Sequence, residues 1–271
     1  MIPKAFVDAW RAHAPWAADH QVEQDLVISR ALVEIYADPF LARRLAFRGG
    51  TALHKLRPPP ARYSEDIDLV QVEGEPIGPV IDALRGRLDG WLGSPKRSFS
   101  EGRVTLAYRF VAEGEPPVRL RLKVEINSRE HFSVFGLREH PFAVTSQWFQ
   151  GSAHVRGYTF DELLGTKLRA LYQRRKGRDL FDLWDGLVRG GADPARVVEA
   201  FLAYVSAEGH PVSRAEFEEN LAGKAADERF LHDVEPLLAT GIAWSPQEAI
   251  EVVSRELIAR LPGETWRRSP V

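Results

Sequence analysis

The spacing of apolar residues predicts helices in the first part of the chain. Over residues 22–36 they recur at roughly helical intervals, and Asp38, followed by proline, is typical of the cap and first turn of a second helix. Residues 77–92 predict a further helix. The first two of these helices precede a loop that contains Gly49 and Gly50.

Alternation of polar and apolar residues predicts three strands, at residues 66–70, 103–111 and 118–126. A turn containing Gly114 joins the last two into a hairpin. Residues two apart on a strand project from the same face, so Asp66 and Asp68 are predicted to share one face. The second strand of the hairpin carries Glu125.

The second half of the chain carries helix signals and lacks strand signals. Three patterns are typical of helix starts: Thr159-x-x-Glu162, Asp193-Pro194 and Ser245-Pro246-x-Glu248. A chain of 271 residues exceeds the usual size of one domain. We therefore predict two domains, residues 1–155 with helices and strands and residues 156–271 mostly helical.

Composition excludes several classes of protein. Hydrophobic residues make up 44% and charged residues 27%, as in an ordinary globular protein. The chain has no cysteine, which excludes disulfides, a thiolate nucleophile and a cysteine-based zinc site. No apolar run approaches the length of a membrane span, so we expect a soluble, cytoplasmic protein without a membrane partner. Because the formal net charge is -2, a nucleic acid would need a local basic patch.

The paired aspartates are candidate metal ligands. Asp66 and Asp68 on one strand face can place two carboxylates within bridging distance of divalent cations, and hard oxygen ligands suit magnesium or manganese. A third carboxylate on an adjacent strand would complete a two-metal clamp, and Glu125 is the candidate. Taken alone, an Asp-x-Asp pair is more often a solvated strand face.

The Gly-Gly-Thr loop is a candidate phosphate-binding element. Gly49 and Gly50 lack a Cβ, which lets backbone N–H groups approach phosphate oxygens, and the Thr51 hydroxyl adds a donor. Lys55 and Ser64 are further candidates for nucleotide binding in the same region. A Gly-Gly pair alone is more often a tight turn, but the loop and the aspartates together make a far more specific signal.

A basic segment lies between Leu163 and Trp184. If it forms one helix, Lys167, Arg174 and Arg178 fall on one face, which could neutralise phosphates or grip a polynucleotide. A solvated face is the alternative interpretation. Asp182 either forms an ordinary surface ion pair with Arg178 or orients Lys167 or the acceptor hydroxyl.

Two blocks of this sequence resemble the AbiEii/AbiGii nucleotidyltransferase toxins, also called MenT-like. The first comprises Phe47-Arg-Gly-Gly-Thr-Ala-Leu-His-Lys-Leu56 and Arg62-Tyr-Ser-Glu-Asp-Ile-Asp-Leu69. The second comprises Lys167-Leu-Arg-Ala-Leu171 and Arg174-x-Lys-x-Arg-Asp-Leu-Phe-Asp-Leu183. The family's Gly-Ser is Gly50-Thr51 here, which retains the hydroxyl.

The resemblance implies an α+β, polymerase-beta-like nucleotidyltransferase fold: a mixed sheet with flanking helices, then a helical C-terminal domain that contributes active-site residues. It further implies the toxin of a toxin–antitoxin or abortive-infection system, with an antitoxin encoded by a neighbouring gene. Such a toxin transfers nucleotides from an NTP, releasing pyrophosphate, and the tRNA 3′ end is the expected acceptor. On this basis Gly50 and Thr51 bind triphosphate, Asp66 and Asp68 hold metal, and Lys167 and Asp182 complete the site.

Ser64 lies two residues before Asp66, which suggests a regulatory role. Its phosphorylation would add roughly -1.5 to -2 charges where triphosphate has to bind. The alternative is a hydroxyl that caps the entry to the strand.

Other functions use part of the same pattern. A nucleotidyltransferase acting on a small molecule or a protein hydroxyl would keep the loop and carboxylates, and the basic segment is what favours tRNA. A glycosyltransferase could use the Asp-x-Asp pair but would not need the Gly-Gly-Thr loop. A non-catalytic interaction protein with the same fold would be expected to lose a carboxylate or the loop, and this chain keeps them.

Overall fold

A computed structural model describes residues 2–113 and 116–267 of the chain. The chain forms two compact units, Met1–Tyr158 with Ala239–Gly241, and Thr159–Leu238 with Ile242–Val271. The predicted division after residue 155 falls inside the last strand of the first unit, Gln150–Gly157. In the described part of the chain, no helix is both long and apolar enough to cross a membrane.

The first unit is a mixed sheet with helices. Its helices are α1 (Lys4–Trp10), α2 (Asp19–Tyr36), α3 (Pro39–Arg44), α4 (Gly49–Lys55) and α5 (Gly78–Leu92). Its strands are β1 (Leu45–Arg48), β2 (Asp66–Gln71), β3 (Lys96–Ser100), β4 (Arg103–Ala112), β5 (Val118–Asn127), β6 (Arg138–Thr145) and β7 (Gln150–Gly157). The α+β class predicted from the sequence is confirmed.

The seven strands lie in the order β3-β4-β5-β2-β1-β7-β6. Strand β2 is central, antiparallel to β1 and parallel to β5. Alternate residues of β4, from Val104 to Ala112, are buried, and Tyr108 donates a hydrogen bond from its hydroxyl to Asp89 of α5 over 3.0 Å. Burial of every second residue is what a sheet with one covered face requires. The other face of β4 and β5 carries mainly polar and charged side chains, with Ala107 and Val111 as apolar exceptions.

Residues 239–241 return to the first unit from within the second half of the chain. The backbone N–H of Ala239 donates to the carbonyl of Ala61, and that of Thr240 donates to the carbonyl of Pro15. The first unit is therefore completed by a segment far from it in sequence.

The second unit is helical among its described residues. Its helices are α6 (Phe160–Gln173), α7 (Gly177–Val188), α8 (Pro194–Ala207), α9 (Arg214–Ala225), α10 (Glu228–His232) and α11 (Pro246–Glu256), with short 3-10 turns at Glu235–Leu237 and Ile258–Arg260. An aromatic cluster of Phe181, Trp184 and Trp244 packs edge to face in its core.

The helix-start predictions can be compared residue by residue. Asp38, Asp193 and Ser245 each accept a backbone N–H bond as N-caps, as predicted. The capping box predicted at Thr159 is wrong. Helix α6 does start at Phe160, but the Thr159 hydroxyl is buried and has no hydrogen-bond partner among the described residues.

Close contact between α6 and α8 depends on Gly165. A Cβ at this position would lie 2.5 Å from the Cβ of Ala200 and 3.0 Å from the carbonyl of Val197. We expect Gly165→Ala to lower the free energy of unfolding by about 1–3 kcal/mol, because both neighbours belong to the facing helix. Urea denaturation followed by circular dichroism measures this.

The matched control is Gly223→Ala on the exposed side of α9, where a Cβ would meet nothing within 4 Å. There the better helix propensity of alanine should raise stability by about 0.5–1 kcal/mol. Equal effects of the two substitutions would contradict the packing argument.

Candidate active site

The pairing of β2 with β5 brings the predicted carboxylates together. In this parallel pair Asp66 lies opposite Lys123, and Asp68 lies opposite Glu125. Partners in register share a sheet face, so all four side chains project on the same side. Each is half-buried. The structure thus places Asp66, Asp68 and Glu125 on adjacent strands at the same depth.

The cations nearest these carboxylates do not contact them closely. Lys123 Nζ lies 3.6 Å from Asp66 Oδ2, and Arg103 Nη1 lies 3.6 Å from Glu125 Oε2. Burial raises the pKa of Asp66 to about 6; Lys123 opposes this increase, while Asp68, Glu65 and Glu125 add to it. The site therefore carries negative charge that its own cations leave incompletely neutralised.

The donor set fits a hard divalent cation at Asp66 and Asp68. Carboxylate oxygens are the ligands that magnesium and manganese prefer. A cation there would stabilise the ionised form of Asp66, which burial and, to a smaller extent, the neighbouring carboxylates disfavour. Within residues 2–113 and 116–267, no three acidic or histidine side chains converge as a metal-binding group. Glu125 faces Arg103 instead, so its role as third ligand stays a prediction.

Gly49 places the start of α4 directly against Asp68. Its φ of 82° lies in the left-handed region that favours glycine, and a Cβ would overlap the Asp68 carboxylate. At Gly50 a Cβ would lie 2.6 Å from Arg62 Nη2 and 3.1 Å from Ser64 Oγ. Gly49 therefore lets the backbone approach the Asp68 carboxylate, and Gly50 lets it approach Arg62 and Ser64. Phosphate binding by this backbone stays a prediction.

Thr51 ties α4 to the first residue of β2. Its hydroxyl donates to the Asp66 carbonyl over 2.5 Å and lies 2.9 Å from Ser64 Oγ. Thr51 has one hydroxyl hydrogen, so Ser64 is the donor between the two hydroxyls. Thr51 is buried, at 1% exposed. Its hydroxyl thus fixes the backbone at Asp66, a positioning role that the sequence motif does not reveal.

A cavity of about 640 Å³ in the first unit adjoins these hydroxyls. Thr51, Ser64 and Lys55 line it, together with the rings of Trp10 and Trp16. Its volume is within the range of small-molecule sites. This cavity could not be predicted from the sequence, because its walls come from segments distant in sequence.

Asp25 organises one wall of the cavity. It accepts hydrogen bonds from Trp10 Nε1 at 2.8 Å, Trp16 Nε1 at 3.2 Å and Lys55 Nζ at 2.5 Å. The ammonium of Lys55 also contacts Ser29 Oγ at 2.8 Å. Lys55 therefore faces the cavity with its charge already balanced by a buried carboxylate.

In the second unit, Lys167 lies between two buried aspartates. Its Nζ is 2.8 Å from Asp182 Oδ2 and 3.1 Å from Asp179 Oδ1. Arg174 donates to Asp179 through Nε at 2.7 Å and Nη2 at 2.9 Å. Both aspartates are almost fully buried. The structure thus brings Lys167 and Asp182 together, one of the two arrangements considered from the sequence.

The predicted cationic helix face is wrong. Helix α6 ends at Gln173, and α7 begins at Gly177, where a Cβ would overlap the carbonyl of Phe230. Because the helix is interrupted between Gln173 and Gly177, Lys167, Arg174 and Arg178 do not share one helix face.

The predicted surface pair of Arg178 with Asp182 is also wrong. Asp182 is buried against Lys167, and Arg178 Nε lies 3.7 Å from Asp233 Oδ2. With Arg174 engaged by Asp179, both predicted phosphate-binding arginines have carboxylate neighbours inside the second unit.

Comparison with known proteins identifies the family to which this chain is similar. The family model described as "Nucleotidyl transferase AbiEii toxin, Type IV TA system" matches residues 30–252. A comparison with curated proteins gave no significant match.

Solved structures show the same fold at low sequence identity. The MenT4 nucleotidyltransferase toxin from Mycobacterium tuberculosis H37Rv is 19% identical with a TM-score of 0.66, over 97% of this chain and 91% of that one. JHP933 from Helicobacter pylori is 17% identical with a TM-score of 0.53, over 87% and 89%.

The family match spans most of the chain and includes both sequence blocks on which the resemblance was based. The prediction of a nucleotidyltransferase is confirmed. The chain belongs to the AbiEii nucleotidyltransferase toxin family of type IV toxin–antitoxin systems.

Proposed function

We propose that this protein uses a divalent cation, magnesium or manganese, to transfer nucleotides from an NTP to the 3′ end of tRNA in the cytoplasm. The observation that carries the proposal is the placement of Asp66 and Asp68 on one face, with Gly49 packed against Asp68. In the reaction the acceptor hydroxyl oxygen bonds to the α-phosphorus, the bond to pyrophosphate breaks, and the hydroxyl proton is released.

Asp66 and Asp68 would hold the cation. When bound, it would polarise the phosphoryl oxygens and stabilise the charge of the departing pyrophosphate. With a pKa of about 6, Asp66 is mainly ionised at neutral pH and ready to bind a cation. Thr51 holds the Asp66 backbone. Because Gly49 and Gly50 lack a Cβ, the start of α4 lies against Asp68, Arg62 and Ser64, and its backbone N–H groups would bind the phosphates there.

Lys167 and Asp182 are proposed to be required for the same reaction. Their assignment rests on the family resemblance and on the contact between them in the second unit, where Asp179 and Arg174 fix the position of the lysine. The helical second unit would then contribute side chains to catalysis.

The acceptor is the least constrained part of the proposal. A small molecule or a protein hydroxyl would need the same carboxylates, and only the labelled product distinguishes these acceptors from tRNA. A protein that keeps the fold without catalysis would label none of them. The cognate antitoxin is expected from a neighbouring gene, as in other type IV systems.

Incubation with total tRNA, magnesium and each labelled NTP in turn tests the reaction. We expect wild-type protein to label tRNA, and Asp66→Asn or Asp68→Asn to reduce the rate by more than about 100-fold, since even outer-shell metal partners contribute 10–100-fold. The control is Glu73→Gln, which removes an exposed carboxylate after β2. Label in protein or in a small molecule would contradict the tRNA acceptor while retaining the transferase.

The buried aspartates predict how stability depends on pH. Burial alone would raise the pKa of Asp179, but Lys167 and Arg174 outweigh it and hold that pKa below its ordinary value. A lowered carboxyl pKa contributes stability above the unfolded pKa, about 3.9, and this contribution is lost as pH falls towards the folded pKa. Wild-type stability should therefore decline below about pH 4.

Asp179→Asn should remove this part of the pH dependence and cost about 3 kcal/mol or more at neutral pH, because Lys167 and Arg174 lose a buried partner. Thermal unfolding between pH 3 and 7 measures both effects. Asp82→Asn, on the exposed side of α5, should change stability by less than about 0.5 kcal/mol. An unchanged pH profile in Asp179→Asn would refute the assignment.

Ser64 is proposed as an off-switch. Its Oγ lies 2.9 Å from Thr51 Oγ1 and beside Gly50, so a phosphate there would add negative charge next to Asp66 and Asp68. Co-expression with the neighbouring antitoxin gene, followed by peptide mass spectrometry, should show modification of Ser64 and loss of tRNA labelling. An inactivated protein that is unmodified at Ser64 would exclude this mechanism.

A further inference from the structure

Three arginines cluster on the open face of the β4–β5 hairpin. Arg109 lies directly opposite Arg121, and Arg119 lies opposite Val111 on the same face. All three arginines are exposed and line one shallow depression. We call Arg109, Arg119 and Arg121 the arginine patch.

The arginine patch has no acidic partner in the part of the chain that the structure describes. Among residues 2–113 and 116–267, no carboxylate forms an ion pair with any of the three guanidinium groups, whereas Arg103 and Lys123 on the same two strands each lie 3.6 Å from a carboxylate. Like charges directly opposite each other destabilise an antiparallel pair. The facing arginines Arg109 and Arg121 therefore cost the fold stability that an anion bound between them would restore.

The arginine patch lies on the same sheet face as the carboxylates. Along β5 the side chains on this face are Arg119, Arg121, Lys123 and Glu125, in that order. At about 3.3 Å per residue, Arg121 is about 7 Å and Arg119 about 13 Å from Lys123. A row of positive charge thus leads along one strand to the position beside Asp66.

The distance of the arginine patch from Lys123 favours the acceptor, and not the NTP, as the molecule that binds there. A triphosphate held at Asp68 occupies the glycine end of the row, whereas Arg119 lies about 20 Å along the strand from Glu125. Only a longer polyanion can contact both ends. Arginine presents a planar fork of donors that matches phosphate oxygens, and a chain of net charge -2 needs a local patch to attract nucleic acid.

We propose that Arg109, Arg119 and Arg121 bind the phosphate backbone of the RNA acceptor and guide its 3′ end to Asp66 and Asp68. The proposal rests on the proposed function, since it identifies where that acceptor binds. Phosphate contacts fix the position of a nucleic acid without reading its bases. The arginine patch therefore determines affinity and orientation, and base preference is set elsewhere.

Binding of the full-length protein to fluorescein-labelled deacylated tRNA, without NTP, tests this directly at several salt concentrations. The variant is Arg109→Gln/Arg119→Gln/Arg121→Gln. Each phosphate contact contributes about 0.7–0.9 to the slope of log affinity against log salt, so the slope should fall by about 2–3. The charge-matched control is Arg97→Gln/Arg138→Gln/Arg267→Gln, three exposed arginines outside the patch.

Circular dichroism spectra identical to wild type establish that both triple variants fold. An unchanged slope in the patch variant, or an equal decrease in the control, overturns the proposal. If the patch variant still binds tRNA but no longer binds the antitoxin, the proposal is also overturned, and the arginine patch is assigned to a protein partner.

A transfer assay separates this proposal from the proposed function. If the patch variant regains the wild-type rate at saturating tRNA, the arginines act in binding, as proposed. If wild-type protein binds tRNA through the arginine patch but does not label it, the RNA-binding surface is supported and the proposed transfer to tRNA is refuted.

Discussion

The parallel register between β2 and β5 is the constraint on which the chemistry of the first unit depends. It places Asp68 beside Glu125 and Asp66 beside Lys123, and a shift by one residue would turn each carboxylate to the covered face. The buried alternate residues Ile67 and Leu69 fix this register, because they need the covered side. Hydrophobic burial on one face therefore positions acidic groups on the other.

Around this register the fold uses buried polar bonds for positioning. The Thr51 hydroxyl connects α4 to the Asp66 carbonyl by a hydrogen bond. Because Gly49 has no Cβ, the start of α4 can lie against Asp68. The second unit uses ion pairs instead, with Lys167 held between Asp179 and Asp182. In both units a functional candidate is immobilised by another residue of the same sequence blocks, through a contact that the blocks alone do not reveal.

Much of this arrangement could be predicted from the sequence. Strands β4 and β5 alternate between more and less buried residues along their length, and β2 does so over residues 66–69, so their faces, and the shared side of Asp66 and Asp68, could be predicted. Strands β3 and β6 form the sheet edges and were missed, because β3 is exposed throughout and β6 has few buried residues. Such exposed edge strands lack the covered face that creates an alternating sequence pattern.

The prediction of a single cationic helix face between Leu163 and Trp184 failed for a different reason. Helical periodicity predicts one helix that continues past Gly177, but α6 ends at Gln173 and a new helix begins at Gly177, packed against the carbonyl of Phe230. Tertiary contact of this kind leaves no periodic signal. The cavity walls beside Thr51 and the buried carboxylate of Asp25 were likewise beyond the sequence, since they depend on which distant segments meet.

The return of residues 239–241 to the first unit has a practical consequence for anyone dividing this protein. A fragment ending at Tyr158 would lack the strip that bonds to Ala61 and Pro15, leaving those two carbonyls without their backbone donors. The first unit is a discontinuous domain, so it cannot be excised by one cut. A shortened chain, or a domain exchanged with a relative, therefore has to include residues 239–241. Limited proteolysis between the two units would separate these residues from the rest of the first unit.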